Sequence, residues 1–491
     1  MKRLPCYLFV ILFILYFTAY QGALSHVIYY HEQHHLFLFS QAYYYHSIHT
    51  AGLLSYVTDF LIQFFYIPAL GSTLLAGILA GIYGFTNRIV NIFLGKRDIL
   101  QLSLLPSIYL FFYTMQVDHS LTLVIGSFLA VLALYLVGCL LEKFSRLLPL
   151  FHFKYKISSK VTTWITAVCM LVYTFLGSYY FLTHYNRSER IMLKAEQYVK
   201  SKDWYKVVDY TKKYLDAGHY NQLIAYFYHL ALARSGALSY HLLDYPQVQG
   251  VKGLYLPWNS DSRESEYGHF LYEELGYINE AQRWEFEAMV VWGETAPHLI
   301  NLAKYNLVNH RPLVAQRFIN KLKQSLFYRT TALELENCLH TGKVHGLRNA
   351  LYKQQDIPAR FANVLNIGPE LQYLCEADST NRMAYDYLMS HLLLSNHVVR
   401  FVDNLKQMSR FQIKKMPPVY EEALYIYKLG VSPEQFAAVG IDVSPGTEAR
   451  FNRYYQLVQS KQLEALKQEF GNTYWFYLNY ISPYGNKVLT N

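Results

Sequence analysis

Residues 161–182 read VTTWITAVCMLVYTFLGSYYFL, and this stretch separates two parts of the chain that differ in character. The stretch contains no Asp, Glu, Lys or Arg. At a rise of about 1.5 Å per residue, a helix of this length crosses a hydrocarbon core of about 30 Å. The sequence therefore predicts a transmembrane helix here, and the direction of that helix decides the compartment in which the rest of the chain works.

The charges of the 491-residue chain are unevenly distributed. Residues 1–186 hold ten Lys and Arg and five Asp and Glu, whereas residues 187–491 hold 34 and 30. Because charged side chains are costly inside a bilayer, this difference predicts a membrane domain over residues 1–186 and a water-facing domain over residues 187–491. The net charge of +9 is shared between the two parts. Neither part concentrates basic residues as nucleic-acid-binding domains do, so we expect no nucleic-acid partner.

Apolar runs predict four further spans, at about residues 4–20, 67–85, 100–115 and 121–141. Because so many spans follow, the first is interpreted as an uncleaved signal-anchor rather than a cleaved signal peptide. Residues 22–66 contain no Lys or Arg, whereas residues 142–160 contain five. Basic loops stay on the cytoplasmic side of the membrane. Five spans with a cytoplasmic N-terminus satisfy every loop, and they predict an inner-membrane protein whose water-facing domain is extracytoplasmic, in the periplasm of a two-membrane bacterium.

The first outer loop contains an apolar segment that is not a good transmembrane candidate. Residues 52–65 read GLLSYVTDFLIQFF and include Asp59 and Gln63. A carboxylate at the centre of a spanning helix costs about 2.5–3.5 kcal/mol. We therefore expect this segment to lie along the membrane surface as an amphipathic helix. The following span is rich in small residues that allow close helix packing, namely Gly71, Ala76, Gly77, Ala80, Gly81 and Gly84.

From residue 189 onward, apolar residues recur at spacings of three and four, which predicts successive helices. Helix pairs begin near residues 189 and 220, and again near 266 and 297, close to the 34-residue period of tetratricopeptide repeats. The predicted fold is all-α, with a bundle of about five transmembrane helices followed by an α-solenoid-like, degenerate tetratricopeptide-like domain. The spans make the lipid bilayer one expected partner. Helical-repeat stacks present a concave face, so we also expect a protein or polymer that binds to that face.

Several phrases of the sequence are similar to those of uncharacterised multi-pass inner-membrane proteins of Bacteroidetes-type bacteria. They are HEQHHLFLFS (31–40), DFLIQFF (59–65), KDWYKVVDY (202–210), LALARSGALSYHLLDYPQ (230–247), LGYINEAQRWEFEA (275–288), NRMAYDYLMSHLLL (381–394), MPPVYEEALYIY (416–427) and NTYWFYLNY (472–480). They extend over nearly the whole chain. The resemblance implies a membrane anchor and an outer helical-repeat half, and it implies no activity.

One long connector interrupts the helical pattern. Residues 246–265, PQVQGVKGLYLPWNSDSRES, contain Tyr255 and Trp258 between glycines and prolines. A long loop within a compact domain is often functional. Two interpretations stay open, a connector packed by its own aromatic side chains or a loop in which these two residues bind a ligand or partner. A disulfide between Cys338 and Cys375 is the less favoured alternative, because two cysteines do not make a disulfide framework.

The densest group of candidate catalytic and metal-binding residues lies in the first outer loop. His31, His34 and His35 have spacings that place imidazoles on one helix face, so they are candidate metal ligands. The alternative, which the lack of an HExxH or Cys/His motif favours, is an interfacial segment rich in amphipathic rings. Glu32 is the candidate catalytic residue, because a carboxylate in the first outer loop resembles the layout of transferases that use polyprenyl-phosphate sugars. There it would take the acceptor's proton or hold a divalent metal.

No nucleophile elbow, P-loop or dinucleotide-binding motif is present in the sequence. We therefore expect no cofactor, and the leading hypothesis is a non-enzymatic, membrane-anchored binding or scaffold module in cell-envelope biogenesis. The alternative is a transferase of envelope glycans or lipid-linked sugars, with its site at Glu32.

Overall fold

A computed structural model describes residues 4–94, 98–144, 159–258, 263–341, 344 and 362–485. Throughout these residues the regular structure is helical and no β-strand occurs, which confirms the predicted all-α class. The chain forms two compact units. The first comprises residues 1–193, 294–299 and 319–334, and the second comprises residues 194–293, 300–318 and 335–491. The predicted boundary at residue 186 assigns residues 294–299 and 319–334 to the water-facing domain. In the structure these two segments belong to the first unit.

The described residues up to 184 contribute seven helices to the first unit. They are α1 (Leu4–Gln21), α2 (Ser25–His34), α3 (Gln41–Ile62), α4 (Pro68–Leu94), α5 (Leu104–Tyr113), α6 (Leu121–Phe144) and α7 (Ser159–His184). A 3₁₀ turn, Gln63–Tyr66, joins α3 to α4.

Within the described part of the chain, four helices are long and apolar enough to cross a membrane. They are Leu4–Gln21, Pro68–Ile92, Leu121–Leu141 and Lys160–His184. The predicted bundle of about five spans is matched by these four helices and one shorter apolar helix, because the span expected at residues 100–115 contains the ten-residue helix α5. A helix of that length rises only about 15 Å, half the thickness of a hydrocarbon core.

Hydrogen bonds show that α5 runs parallel to α1. The Tyr16 hydroxyl lies 3.0 Å from Ser107 Oγ, and the Tyr20 hydroxyl lies 2.6 Å from Thr114 Oγ1. Residue numbers therefore rise together along both segments. The α5 segment runs in the opposite direction to α4, because Ser107 Oγ donates to the Leu79 carbonyl while Asn87 Nδ2 donates to Ser103 Oγ.

The last helix of the bundle, α7, also runs parallel to α1 and α5. Thr166 Oγ1 donates to the Ile99 carbonyl (3.0 Å), and the rings of Phe112 and Tyr180 lie 4.7 Å apart. At the end of α7 the Tyr185 hydroxyl donates to the Ala23 carbonyl, just beyond the end of α1. The segments α1, α5 and α7 therefore share one direction.

Small residues in α4 allow neighbouring helices to approach closely, as predicted. A Cβ at Gly81 would lie 2.8 Å from the Phe128 ring of α6, and one at Gly84 would lie 3.4 Å from Phe9 of α1. Gly77 has no atom within 4 Å of this position. The close contacts therefore lie at some of the small residues and not at all of them.

Helix α3 is divided by Gly52, whose φ of 84° and ψ of 167° interrupt the helical backbone. A positive φ is readily adopted by glycine and strained for other residues. The interfacial helix predicted at residues 52–65 thus starts at a kink and ends at Ile62, where the 3₁₀ turn begins. The segment is not among the four candidate spans.

The second unit contains the remaining helices, of which α8, α14, α15 and α16 lie partly in the first. Their bounds are α8 (Arg187–Lys200), α9 (Trp204–Leu215), α10 (Gln222–Arg234), α11 (Leu238–His241), α12 (Gly268–Leu275), α13 (Ile278–Trp292), α14 (Ala296–Val308), α15 (Pro312–Leu322), α16 (Arg329–Thr341), α17 (Ile367–Ala377), α18 (Arg382–Leu394), α19 (Val398–Leu405), α20 (Pro418–Gly430), α21 (Pro433–Ala437), α22 (Pro445–Gln459), α23 (Leu463–Phe470) and α24 (Tyr474–Phe476). Side-chain caps define several starts; the Asp203 carboxylate, for example, accepts from the Lys206 N–H at the start of α9.

Helices distant in sequence pack together within the second unit. Ser239 Oγ donates to Asp386 Oδ1 across 147 residues, and Arg382 donates to the Gly236 carbonyl at 2.6 Å. In a linear solenoid each repeat contacts only its neighbours. The contacts between α11 and α18 join helices that are far apart in the sequence, which is not the pattern of such a stack. The tetratricopeptide-like solenoid therefore remains a prediction.

Candidate functional site

The candidate catalytic residue Glu32 is buried, with 8% of its surface exposed. It lies in the last turn of α2, a short helix between α1 and α3. The Tyr328 hydroxyl donates a hydrogen bond to Glu32 Oε1, and Gln33 Nε2 donates to Oε2. Both carboxylate oxygens are therefore engaged by side chains of the same unit.

Tyr328 lies in the turn between α15 and α16, within the segment 319–334 that belongs to the first unit. Burial raises the pKa of the Tyr328 hydroxyl, and the Glu32 carboxylate beside it raises the pKa further. The hydroxyl therefore keeps its proton and acts as the donor in this pair.

Aromatic contacts with Tyr66 hold the same turn against the rest of the first unit. The Phe327 ring stacks on Tyr66 with centroids 5.1 Å apart, and the Tyr66 ring lies edge-on to Tyr328 at 5.2 Å. The Phe39 N–H donates to the Gln324 carbonyl at 2.8 Å. We refer to residues 323–328 as the docking turn. Sequence reasoning missed it, because no local pattern links residues separated by almost 300 positions.

The three candidate metal ligands do not converge on one point. The His34 ring stacks on Tyr30 (4.0 Å) and its Nδ1 lies 2.8 Å from the Tyr30 carbonyl, while His35 Nδ1 lies 2.9 Å from Asp59 Oδ1. Among the described residues, no group of three or more His, Cys, Asp and Glu is arranged to hold a metal ion.

His31 is fully buried, and neither of its ring nitrogens has a hydrogen-bond partner. Burial lowers the pKa of His31 well below its usual value, and the neighbouring His35 and His34 lower it further. The imidazole is therefore neutral near pH 7. An uncharged ring forms no ion pair, and the contacts of His31 are with the rings of Tyr30 and His35.

Asp59 also has its polar groups satisfied within the first unit. In addition to His35, the Tyr43 hydroxyl donates to Asp59 Oδ2 at 2.9 Å. Burial raises the pKa of Tyr43, and the Asp59 charge adds to this effect. These hydrogen bonds explain how a carboxylate is accommodated in the otherwise apolar second half of α3.

Tyr255 and Trp258 are partly buried and pack against helices of the second unit. The Trp258 ring lies edge-on to Trp284 (4.7 Å), with the Arg283 guanidinium 4.4 Å from its centre. The Tyr255 ring lies 6.0 Å from Tyr387. Both rings therefore contact helices of the second unit, and ligand or partner binding by this connector stays a prediction; residues 259–262 lie outside the described residues. Cys338 and Cys375 are both buried, and no disulfide joins them.

The four long apolar helices are those of a helical membrane protein. A family model described as a family of unknown function (DUF6057) matches the chain over residues 1–183 and again over residues 147–481. The two matches cover nearly the whole sequence, and the chain belongs to this family. No curated protein and no solved structure matches the chain. Since the family's description gives no activity, no substrate or partner can be transferred from it.

Proposed function

We propose that this protein is a non-enzymatic, membrane-anchored helical module that binds a protein or polymer partner in cell-envelope biogenesis. In this proposal the N-terminus is cytoplasmic, the anchor lies in the inner membrane, and the second unit works in the periplasm. The basic loops of the first unit support this orientation.

The observation that carries the proposal is the state of Glu32. A general acid or base must reach a reacting proton, directly or through one water molecule. Both oxygens of Glu32 instead accept hydrogen bonds from Tyr328 and Gln33, and the carboxylate is buried. The residue on which the transferase alternative depends is thus used to attach the docking turn to α2.

Partner binding is expected to depend on exposed apolar side chains of the second unit. Tyr205 on α9 and Leu313 on α15 are 81% and 83% exposed. Single exposed apolar residues are common on monomers, so these two positions are test sites and do not define an interface.

Complementation of a deletion strain tests the proposal. We expect Glu32→Gln, which retains the side-chain shape and one acceptor oxygen, to restore the wild-type envelope phenotype. Tyr205→Ser and Leu313→Ser should impair rescue while the protein accumulates at normal levels, as measured by immunoblotting of membranes. If Glu32→Gln alone abolishes rescue at a normal protein level, the envelope transferase becomes the better function.

A further inference from the structure

A polar cavity of about 210 Å³ lies at one end of the first unit. It is formed by the start of α1, the last turns of α4, residues 98–101 and the first turns of α7. Its lining is unusually polar for a bundle of apolar helices and includes Asn87, Arg88, Asn91, Asp98, Gln101 and Thr166. Because these side chains lie where four segments of the bundle meet, the cavity is a candidate binding site.

Two amide oxygens of this lining are buried acceptors without hydrogen-bond partners, Gln101 Oε1 and Asn91 Oδ1. The orientation of the Gln101 amide is fixed, because its Nε2 donates to the Asp98 carbonyl at 2.5 Å and a carbonyl can only accept. Asn91 Nδ2 donates to Asn87 Oδ1 at 3.1 Å, which leaves Asn91 Oδ1 as the acceptor. A buried acceptor without a donor is destabilising, so a donor-rich ligand would gain from both oxygens.

The charged groups of the cavity have opposite signs and different exposure. The Asp98 side chain is 8% exposed, and its Oδ2 accepts from the Ser103 N–H at 2.8 Å. Arg88 also lines the cavity and is exposed. The site therefore combines an enclosed set of acceptors around one carboxyl group with a guanidinium that remains accessible. A ligand that fits both carries a compact ammonium group and, next to it, an anion.

The position of the cavity indicates how such a ligand reaches it. Cavity residues come from the first turn of α1 and the first turns of α7, and both helices are candidate spans with little of their apolar surface buried. The ends of membrane spans lie at the level of the lipid headgroups. A phospholipid packed against α1 and α7 therefore has its headgroup next to the cavity.

We propose that this cavity binds the headgroup of a phospholipid with a primary ammonium group, as in phosphatidylethanolamine. The three N–H donors of the ammonium match the oxygens of Asp98, Gln101 and Asn91, and the phosphate pairs with Arg88. A choline headgroup offers no N–H donor and leaves the two amide oxygens unsatisfied. This inference concerns the opposite end of the first unit from Glu32 and does not depend on the proposed function.

Lipid exchange on the full-length protein tests the proposal. The purified chain is incorporated in nanodiscs of either phosphatidylethanolamine or phosphatidylcholine with matched acyl chains, and lipids retained after transfer to detergent are counted by native mass spectrometry. We expect about tenfold preferential retention of phosphatidylethanolamine, as for one charge-assisted hydrogen bond. Equal retention of the two lipids would overturn the proposal.

Two variants and one control locate the binding. Asp98→Asn removes the charge and keeps an acceptor for the Ser103 N–H, and Gln101→Met removes the amide oxygen; each should abolish the preference. Gln116→Met, an exposed site beyond the other end of α5, should retain it. A preference that survives both Asp98→Asn and Gln101→Met places the lipid elsewhere and contradicts the proposal.

A third arm separates the lipid from a soluble amine. If O-phosphoethanolamine, which has the same headgroup and no acyl chains, protects the detergent-solubilised protein against thermal unfolding as well as the lipid does, the cavity takes a soluble ligand and the lipid proposal fails. We expect protection by the lipid only. Should Asp98→Asn fail to fold, Gln101→Met and the wild-type comparison of the two lipids still decide the outcome.

Discussion

The Tyr328 hydroxyl donates a hydrogen bond to the Glu32 carboxylate, although the two residues are 296 positions apart in the sequence. Both belong to the first compact unit, which the chain leaves after Leu193, rejoins briefly over Glu294–Leu299 and enters again at Ile319. The contact closes a very long loop of chain, and loop closure costs entropy. Stacking of Phe327 on Tyr66 contributes to offsetting this cost, because the two rings bury apolar surface beside the hydrogen bond.

Removal of the Tyr328 hydroxyl is expected to loosen the docking turn. Tyr328→Phe leaves one oxygen of a buried carboxylate without its donor, so we expect a loss of about 1–3 kcal/mol. Hydrogen exchange of the full chain should show faster exchange in α2 and in residues 319–334. Tyr66→Phe is the matched control, since it preserves the ring that contacts Tyr328 and removes an exposed residue's hydroxyl. Equal effects of the two substitutions would show that the hydrogen bond contributes nothing.

Periodicity and charge gave the helices and the apolar spans, because both properties are local. They did not reveal the docking turn, since Tyr328 contacts Glu32 only when the fold brings together two distant segments. The apparent fifth span illustrates a second limit. Residues 100–115 contain no charged side chain, but Pro106 and the polar side chains of Ser103 and Ser107 mark a segment whose helix is only ten residues long.

The candidate site shows the same limits. The spacing of the histidines was compatible with one helix face, and His31 and His34 lie on α2 while His35 follows its end. Spacing alone does not determine which atoms the rings contact. His34 and His35 use their Nδ1 atoms in separate hydrogen bonds, to the Tyr30 carbonyl and to Asp59. The contact of His35 with Asp59 depends on the position of α3, which the local pattern does not encode.

Acid is expected to destabilise the second unit through His229. Burial lowers the pKa of His229 from 6.5 to about 4. Its Nδ1 lies 2.9 Å from the Gly253 carbonyl and must donate to it, while Nε2 lies 3.2 Å from Gln247 Nε2 and accepts, which is the neutral tautomer. As the pH falls from 6.5 to 4, the His229 imidazole binds a proton in the unfolded chain but not yet in the folded protein. The stability that is present above pH 6.5 is therefore lost.

Thermal unfolding as a function of pH measures this effect, which amounts to about 3 kcal/mol from 1.36 kcal/mol per pKa unit. His229→Asn retains a donor for Gly253 and cannot titrate, so its stability should depend less on pH between 6.5 and 4, from a lower starting value. His219→Asn, at an exposed position, should behave as the wild type. An unchanged acid dependence in His229→Asn contradicts the assignment.

Glu422 is expected to make the second unit less stable as the pH rises, which is the opposite of the effect of His229. Burial raises the pKa of its carboxyl from 4.5 to about 7, although the Tyr474 N–H and Arg450 favour the charged form. Because the folded-state pKa is the higher one, the stabilisation is complete below pH 4.5 and is lost as the pH rises through 7.

Substitution of Glu422 by Gln should remove this dependence. Glu422→Gln keeps an oxygen for the Tyr474 N–H, which donates to the carboxylate at 2.8 Å. We compare the free energies of unfolding of the variant and the wild type at each pH. Relative to the difference at pH 4.5, the variant should be more stable by about 3 kcal/mol above pH 7. Glu464→Gln, on the exposed surface of α23, is the control. The assignment fails if both variants show the same pH profile.

Packing between α4 and α6 is expected to depend on Gly81 and not on Gly77. A Cβ at Gly81 meets the Phe128 ring at 2.8 Å, whereas one at Gly77 has no neighbour within 4 Å. Overpacking a buried contact costs about 1–3 kcal/mol. Gly81→Ala should therefore lower the unfolding temperature in detergent, and Gly77→Ala should leave it unchanged or raise it. The same response from both positions would mean that the two helices are not in this contact.

The short helix α5 decides whether the chain crosses the membrane four or five times, and reporter fusions measure it. Since α5 runs parallel to α1 and antiparallel to α4, we expect residues 98 and 118 on opposite sides of the membrane, with residue 190 on the side of residue 118. Alkaline phosphatase is active only outside the cytoplasm, so fusions after Asp118 and after Arg190 should be active and a fusion after Asp98 inactive. If α5 does not complete a crossing, Asp118 lies with Asp98 inside and every later segment is inverted. The Asp118 and Arg190 fusions would then both be inactive, which would place the second unit in the cytoplasm and overturn the proposed orientation.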